Sequence, residues 1–203
     1  WVDPVHRSQL DALVAEVVSH AESLRKAAHR GEAAEVLTTK SQLQVLCGHR
    51  EGAMGVAGWN SRVERQLVLP PGEPWYVGRP LMITRNSRAL GLANGDVGVV
   101  VPEGKRMDAL FGLPDDFQAV PVTRLEHVAT VHALTIHKSQ GSEYDHAVIV
   151  LPEQPSRIVT RELLYTGVTR ARKKVTIVGP REVIKAAINT PIRRATGLAE
   201  RLT

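Results

Sequence analysis

Cysteine is nearly missing from the sequence: Cys47 is the single one among 203 residues. One cysteine excludes an internal disulfide framework and any cysteine-rich zinc site. We interpret Cys47, which lies inside QVLCG, as a small buried residue in preference to a reactive thiol. The sequence also has no internal repeat and no low-complexity tract.

Long hydrophobic runs are missing as well. No stretch reaches the roughly 18 uninterrupted apolar residues of a membrane span, and the N-terminal WVDPVHRSQ has neither the charged region nor the hydrophobic region of a secretion signal. We therefore expect a soluble, cytoplasmic protein that does not contact the membrane. The first residue is Trp1 and not Met, which suggests a piece of a longer polypeptide whose function is divided between its parts.

What the sequence does contain is enough apolar material for a core and an excess of basic residues. Hydrophobic residues make up 43% of the chain, so one compact domain with a small appendage is the natural expectation. The formal net charge is +5 and the isoelectric point is near 9.7. This balance favours polyanionic partners, although it does not identify one.

The first thirty residues carry the spacing of a long amphipathic helix. Asp3 and Pro4 are typical of an N-cap and a first-turn proline, and Gly31 is typical of a helix end. Between them, apolar residues recur at helical spacing: Leu10, Leu13, Val14, Val17, Val18, Ala21 and Leu24.

The rest of the chain predicts an α/β protein. Strands are predicted at 44–47 and 79–84, with a helix from Val56 to Leu67 between them, and the short segments with tight turns over 96–126 predict a small β insertion. After it, ATVHALTI, HAVIVLP, TRELLYTGVTRA, KVTIVG and PREVIKAAIN alternate as strand, strand, helix, strand and helix. The uninterrupted apolar runs VIVL and VTIV are typical of parallel strands buried on both faces.

A polar loop, HKSQG, follows the predicted strand ATVHALTI. Ligands of open parallel sheets collect at the carboxyl ends of the strands. Thr135, His137 and Ser139 alternate along an extended chain and offer donors on one side, while Lys138 supplies a point charge suited to phosphate. The alternative is a loop whose polar residues only face water.

Two further loop residues bear on the ligand. Gly141 allows the backbone to approach a ligand closely. Glu143 repels phosphate unless it accepts from a sugar hydroxyl, a water or a nearby cation, so a nucleotide-facing position would explain it.

The segment RELLYTGVTRARKKVTIVG, residues 161–179, predicts a helix that leads into a strand. On one helix Thr166 and Arg170 share a face, whereas Arg172 points away, so we expect only one arginine to serve a site. Arg170 is the candidate for stabilising charge on a phosphoryl group, against the alternative of a structural surface arginine. We interpret Arg172, Lys173 and Lys174 as solvated charge at the helix C-terminus, with a secondary role toward nucleic acid left open.

These segments carry a family resemblance. TIHKSQGSEYD, followed by ELLYTGVTRAR, resembles motifs V and VI of superfamily 1 DNA helicases. In order, GHREGAMGVAGWN, GRPLMITRNSRALGLANGDVG, HKSQGSEYDHAVIVLP and the tail AAINTPIRRATGLAERL resemble the C-terminal part of the RecD family, the α subunits of bacterial exodeoxyribonuclease V, RecBCD. From about residue 40 the likeness covers nearly the whole chain.

The resemblance implies a fold and a division of the chain. The fold would be a RecA-like parallel-sheet lobe of the P-loop NTPase type, the second lobe of a 5′→3′ helicase motor, with a small SH3-like insertion. Residues 1–40 would form a helical segment that leads from a first lobe. Residues 41–95 and 128–203 would form the two parts of the second lobe, and residues 96–127 the SH3-like insertion.

The resemblance also implies residue roles. The positions expected to face single-stranded DNA, or to couple it to the nucleotide, are Thr135, His137, Lys138, Ser139 and Gln140. The positions expected to bind nucleotide are Gly141, Glu143, Tyr165, Arg170 and Arg50. Of these, Arg170 would be catalytic and reach the γ-phosphate, and Arg50, in GHREG, would be the motif IV arginine.

The implied cofactor is ATP with Mg²⁺, held mostly by the first lobe, and the implied partners are single-stranded DNA and the RecB and RecC subunits. The implied activity is ATP-dependent translocation on DNA in double-strand break repair and recombination. We expect Arg170 and the polar loop 137–143 to open onto one crevice.

One departure from a complete motor stands out. No G-x-x-x-x-G-K-[ST] occurs, because Val99 and Arg106 flank the Gly104-Lys105 pair where a glycine and a hydroxyl are needed. An acidic Mg²⁺-binding motif is also missing, and we expect no metal ligands here. The chain alone should therefore not hydrolyse ATP.

Two alternatives remain open. One is a non-catalytic DNA- or protein-binding module in which the β insertion is the working part, although its basic and aromatic residues are few: Lys105, Arg106, Arg124, Phe111 and Phe117. The other is the lobe of a stand-alone RecD-like helicase or of a relaxase-type helicase.

Overall fold

A computed structural model describes residues 1–69 and 72–192. The helices are α1 (Arg7–Arg30), α2 (Ala33–Lys40), α3 (Val56–Glu64), α4 (Arg161–Val168) and α5 (Arg181–Asn189). The strands are β1 (Leu43–Cys47), β2 (Pro80–Ile83), β3 (Val97–Glu103), β4 (Arg106–Leu113), β5 (Asp116–Pro121), β6 (Val128–Thr130), β7 (Ala133–Thr135), β8 (Tyr144–Val150) and β9 (Ala171–Val178). The tail resemblance beyond residue 192, and the first two prolines of the predicted turn at 70–74, lie outside the described residues.

Helix α1 buries one apolar stripe and confirms the predicted amphipathic pattern. Its buried residues are Leu13, Val14, Val17, Val18, Ala21, Leu24, Ala27 and Ala28. The helix ends at Gly31, whose φ of 78° is left-handed and suits glycine. The predicted start is wrong, because the helix begins at Arg7 and Asp3 instead accepts from the amide of Val5 at 3.1 Å.

Within the described residues, a four-stranded parallel sheet has the order β7-β1-β8-β9. The inner strands β1 and β8 are buried on both faces, because α1 and α3 cover one face of the sheet and α4 and α5 cover the other. Val148, for example, belongs to the first cluster and its neighbour Ile149 to the second. The edge strand β9 is largely exposed, so the burial predicted for VTIV is wrong at Val175. The predicted α/β class, with a parallel sheet, a β module and an N-terminal helix, is confirmed.

The β module is a second, antiparallel sheet with the order β5-β4-β3-β2-β6 over the described ranges. Strand β2, which sequence reasoning placed among the strands of the main lobe, pairs with β3 and β6 instead. The sheet therefore uses residues on both sides of 96–127, and its own core includes Leu81, Val100 and Phe111. The predicted domain boundaries and the SH3-like character of the insertion stay predictions.

The predicted single strand ATVHALTI is wrong, because it is divided between the two sheets. Strand β6 joins the antiparallel sheet and β7 joins the parallel one. The connection is held by Gln44, whose side-chain amide donates to the carbonyl oxygens of Val131 at 3.3 Å and His132 at 3.0 Å. Residues 131 and 132 connect the two sheets.

Helix α4 ends earlier than predicted. It stops at Val168, and β9 begins at Ala171, so the basic run Arg172–Lys174 lies in a strand. The amide of Tyr144 donates to the carbonyl of Arg170 at 2.8 Å and draws the chain into the ladder with β8. The prediction that these cations sit at a helix C-terminus is wrong.

Two predictions concern the cysteine and membrane spans. Cys47 is fully buried in β1, as predicted, and burial raises the pKa of its thiol. In the part of the chain that the structure describes, no helix is both long and apolar enough to cross a membrane.

Candidate nucleotide and nucleic-acid site

The polar loop after β7 has a fixed internal shape. A short 3₁₀ turn, Ile136–Ser139, follows the strand, and the buried hydroxyl of Ser139 donates to the carbonyl of Ile136 at 2.7 Å. The amide of Ser142 then donates to the carbonyl of Ser139 at 3.0 Å. Gly141 adopts a φ of 85° between them, a left-handed conformation that favours glycine. The loop is thus closed by its own hydrogen bonds.

This closure decides which loop side chains are available to a ligand. His137, Gln140 and Glu143 are exposed, and Lys138 is half-buried with its amine 3.4 Å from the Asn94 amide oxygen. Ser139 is buried and its hydroxyl is already used.

Arg170 lies between the end of α4 and the start of β9 and uses all three guanidinium nitrogens. Nε donates to the carbonyl of Thr166 at 3.1 Å, and one terminal nitrogen donates to the Thr169 hydroxyl at 3.2 Å. The other terminal nitrogen donates to the carbonyl of Ser142 at 3.2 Å, across the gap to the polar loop. The arginine and the loop are therefore in direct contact.

Both elements line one large cavity of about 1400 Å³. The loop contributes His137, Lys138 and residues 140–143, and Arg170 lies beside them. The opposite walls come from α2, from the turn at 94–97 and from the β4–β5 hairpin. The expected common crevice is present, and the β module forms part of it.

The charge of the cavity wall is mixed. Its formal cations are Lys40, Lys138, Arg170 and Arg172, and its formal anions are Asp96, Asp116 and Glu143. Apolar surface is also present at Phe111, Leu113 and Phe117, the last two exposed. Such a wall can accept a ligand that carries phosphates next to flat or polar groups.

Arg172 corrects an expectation about the two arginines. Because it lies on β9 and not on the helix, it lines the same cavity as Arg170. Its guanidinium forms an ion pair with Asp145 at 3.0 Å, and the amine of Lys173 contacts the same carboxylate at 2.9 Å. The hydrogen bond from Lys173, with the charges of both cations, lowers the pKa of Asp145.

Sequence reasoning missed Lys40. Its amine donates to the carbonyl oxygens of Val97 at 3.1 Å and Gly112 at 3.4 Å, so it ties α2 to the antiparallel sheet at the cavity wall. Burial lowers the pKa of this amine to about 8, while the nearby Asp96 opposes the shift. Nothing in the local sequence TTKSQ signals a partly buried lysine.

Four of the predicted site residues do not line this cavity. Tyr165 lies on α4 with 70% of its surface exposed, and Arg50 lies in the exposed loop after β1. Thr135 ends β7, and Ser139 is buried in the 3₁₀ turn. Their roles, like those of the residues in the cavity, stay predictions.

Comparison with known proteins assigns this chain to a family. Residues 130–178, which contain both the loop and Arg170, match the family described as UvrD-like helicase C-terminal domain. The RecBCD enzyme subunit RecD of Mycolicibacterium smegmatis is 45% identical over 205 residues, which cover 99% of this chain and 36% of that protein. The chain is a homologue of RecD subunits.

A second RecD relative agrees with this relationship. RecD of Mycobacterium tuberculosis is 44% identical over 194 residues, 94% of this chain and 34% of that protein. Among solved structures, the Pif1 helicase from Candida albicans aligns over 97% of this chain and 59% of its own, with a TM-score of 0.47 and 14% identity. The chain thus spans about a third of the length of the RecD relatives it matches.

Proposed function

We propose that this chain is the C-terminal motor lobe of an ATP-dependent 5′→3′ DNA helicase subunit of the exodeoxyribonuclease V (RecBCD) type, which acts in double-strand break repair and recombination. The observation that carries the proposal is the shared crevice, in which Arg170 contacts the polar loop through the Ser142 carbonyl. Similarity to RecD subunits supports the same activity. Because the chain spans about a third of those subunits, the activity belongs to the full-length protein and is not expected of this chain alone.

The crevice fits one end of ATP. A guanidinium has five N–H bonds, and Arg170 directs three of them to Thr166, Thr169 and Ser142, so one remains on each terminal nitrogen. A pair of N–H donors on a planar cation suits two phosphoryl oxygens. Lys138, in the same cavity, adds a second positive charge.

The remaining parts of the nucleotide site are not found among the residues that the structure describes. The sequence has no phosphate-binding P-loop, and in the ranges 1–69 and 72–192 no three His, Cys, Asp or Glu side chains group as metal ligands. We therefore assign the triphosphate cradle and the Mg²⁺ ligands to the rest of the subunit.

When bound, ATP supplies the phosphoryl group whose transfer drives the motor. Arg170 stabilises the negative charge that develops on this group, and Glu143 offers an acceptor for a water or a sugar hydroxyl at the same cavity wall. Tyr165 and Arg50, outside the cavity, would complete the nucleotide site only against the first lobe.

Coupling to DNA follows from the contacts of Arg170. Its carbonyl accepts from the Tyr144 amide, and its guanidinium donates to the Ser142 carbonyl. A shift of Arg170 would therefore move Ser142 and Tyr144, the two ends of the segment that follows Gly141. We assign contacts with the DNA backbone to His137 and Gln140, which are exposed, and to Lys138. Thr135 and Ser139 support these residues by fixing where the strand ends and how the turn closes.

The partners are part of the proposal. Single-stranded DNA is the polymer, and RecB and RecC are the subunits with which the full-length protein assembles, as the names of its RecD relatives suggest. A cytoplasmic location goes with this assembly. Co-purification with RecB and RecC would separate this proposal from a stand-alone helicase.

The test uses the full-length subunit in its complex. Arg170→Ala is expected to abolish ATP turnover by this subunit while most of its single-stranded DNA affinity remains. Arg181→Ala, an exposed arginine at the start of α5, is the matched control and should change neither quantity. An equal loss of turnover and DNA affinity in Arg170→Ala would contradict the division of roles.

A further inference from the structure

Thr169 has an unusual position beside the candidate catalytic arginine. Its hydroxyl donates to the carbonyl of Thr166 at 3.1 Å and accepts from a terminal nitrogen of Arg170 at 3.2 Å. The same Thr166 carbonyl accepts from Nε of Arg170 at 3.1 Å. The three groups form a closed ring of hydrogen bonds on the last turn of α4.

This ring fixes the guanidinium plane at two points, and the Ser142 carbonyl fixes it at a third. An arginine side chain otherwise samples many rotamers, and a free one loses conformational entropy when it meets a ligand. With the plane fixed, the two remaining N–H bonds keep one orientation before a ligand arrives.

We infer that Thr169 is a positioning residue, which orients Arg170 toward the phosphoryl group through its side-chain hydroxyl. The inference deepens the proposed function and rests on it. It requires the hydroxyl itself and not only a β-branched side chain of this size. Serine should therefore replace threonine, and valine should not, although valine has nearly the same shape.

The experiment measures DNA-stimulated ATP hydrolysis by the full-length subunit in its complex. Loss of one hydrogen bond to a charged group predicts that Thr169→Val lowers kcat roughly tenfold, with KM for ATP changed by less than about twofold. Thr169→Ser should retain kcat within about twofold of the original protein. Thr190→Val is the control, because the Thr190 hydroxyl donates to the Ala186 carbonyl at the end of α5, away from Arg170.

A second comparison separates positioning from stability. If Thr169 acts through the guanidinium of Arg170, Thr169→Val has little further effect in a protein that already carries Arg170→Lys, in which the charge is kept and the fork of donors is lost; a double-mutant cycle detects this. The thermal unfolding midpoints of Thr169→Val and Thr190→Val should also agree within the error of the measurement.

The outcomes distinguish the two proposals. If Arg170→Ala leaves ATP turnover unchanged, the proposed role of Arg170 is wrong. If Arg170→Ala lowers turnover but Thr169→Val does not, only the positioning role of Thr169 is wrong. The same holds if Thr169→Val and Thr169→Ser lower turnover equally.

Discussion

The backbone amide of Tyr144 donates to the carbonyl oxygen of Arg170 at 2.8 Å, and this hydrogen bond marks where β8 and β9 begin to pair. The same arginine reaches Ser142 with its side chain. Arg170 therefore holds the polar loop through its backbone and its guanidinium together. In the proposed motor, this residue joins the nucleotide end of the crevice to the loop assigned to DNA.

The turn at Gly141 offers a test of the loop. Its φ of 85° is unfavourable for any residue with a Cβ, although an added Cβ would meet no atom within 4 Å. Gly141→Ala should therefore lower stability by about 1 kcal/mol through backbone strain alone. We expect the strain to shift the loop and to weaken single-stranded DNA binding by the full-length subunit several-fold, measured by fluorescence anisotropy.

Gly104→Ala is the matched control for this variant. Gly104 also has a positive φ, 61°, and open space around its Cβ position, but it lies in the β3–β4 turn and does not line the cavity. Gly104→Ala should lower the free energy of unfolding by a similar amount and leave the affinity for single-stranded DNA unchanged. Equal loss of DNA affinity in both variants would mean that general destabilisation explains the effect.

Lys40 predicts a dependence of stability on pH. Its pKa falls from the ordinary 10.5 to about 8 in the folded protein, mainly because the amine is buried. Between these values the unfolded chain binds a proton that the folded chain has released, so the free energy of unfolding rises as pH increases from 8 to 10.5. The lysine contributes this rise, of the order of 3 kcal/mol.

Lys40→Met removes the titrating group, so the free energy of unfolding should no longer rise between pH 8 and 10.5. The unfolding midpoint at several pH values measures this. Lys26→Met, at an exposed position on α1, is the control and should keep the slope of the original protein. An unchanged slope in Lys40→Met would show that the amine is hydrated in the folded state and that its burial has little effect.

Sequence patterns predicted the parallel sheet well. VIVL and the helical spacing in α1 are local signals that the tertiary structure follows, since both reflect which faces are buried. The polar loop and Arg170 were also found from their sequence motifs, and the strand order explains why they meet.

Features decided by pairing between distant segments were not predictable. The apolar β2 resembles a strand of the main sheet, and only its pairing with β3 and β6 assigns it to the other one. Likewise, the helical pattern continues past Val168, but pairing with β8 turns the chain into β9. Lys40 was missed because its burial depends on the carbonyls of Val97 and Gly112, which are distant in sequence.

In the proposed motor Arg170 links nucleotide to DNA across one crevice, and binding linkage tests this role most directly. The dissociation constant of single-stranded DNA is measured for the full-length subunit in its complex, with and without a non-hydrolysable ATP analogue. The original protein should show a change of at least about fivefold, and Arg170→Ala should show a ratio close to one. The same ratio in both proteins would contradict the account.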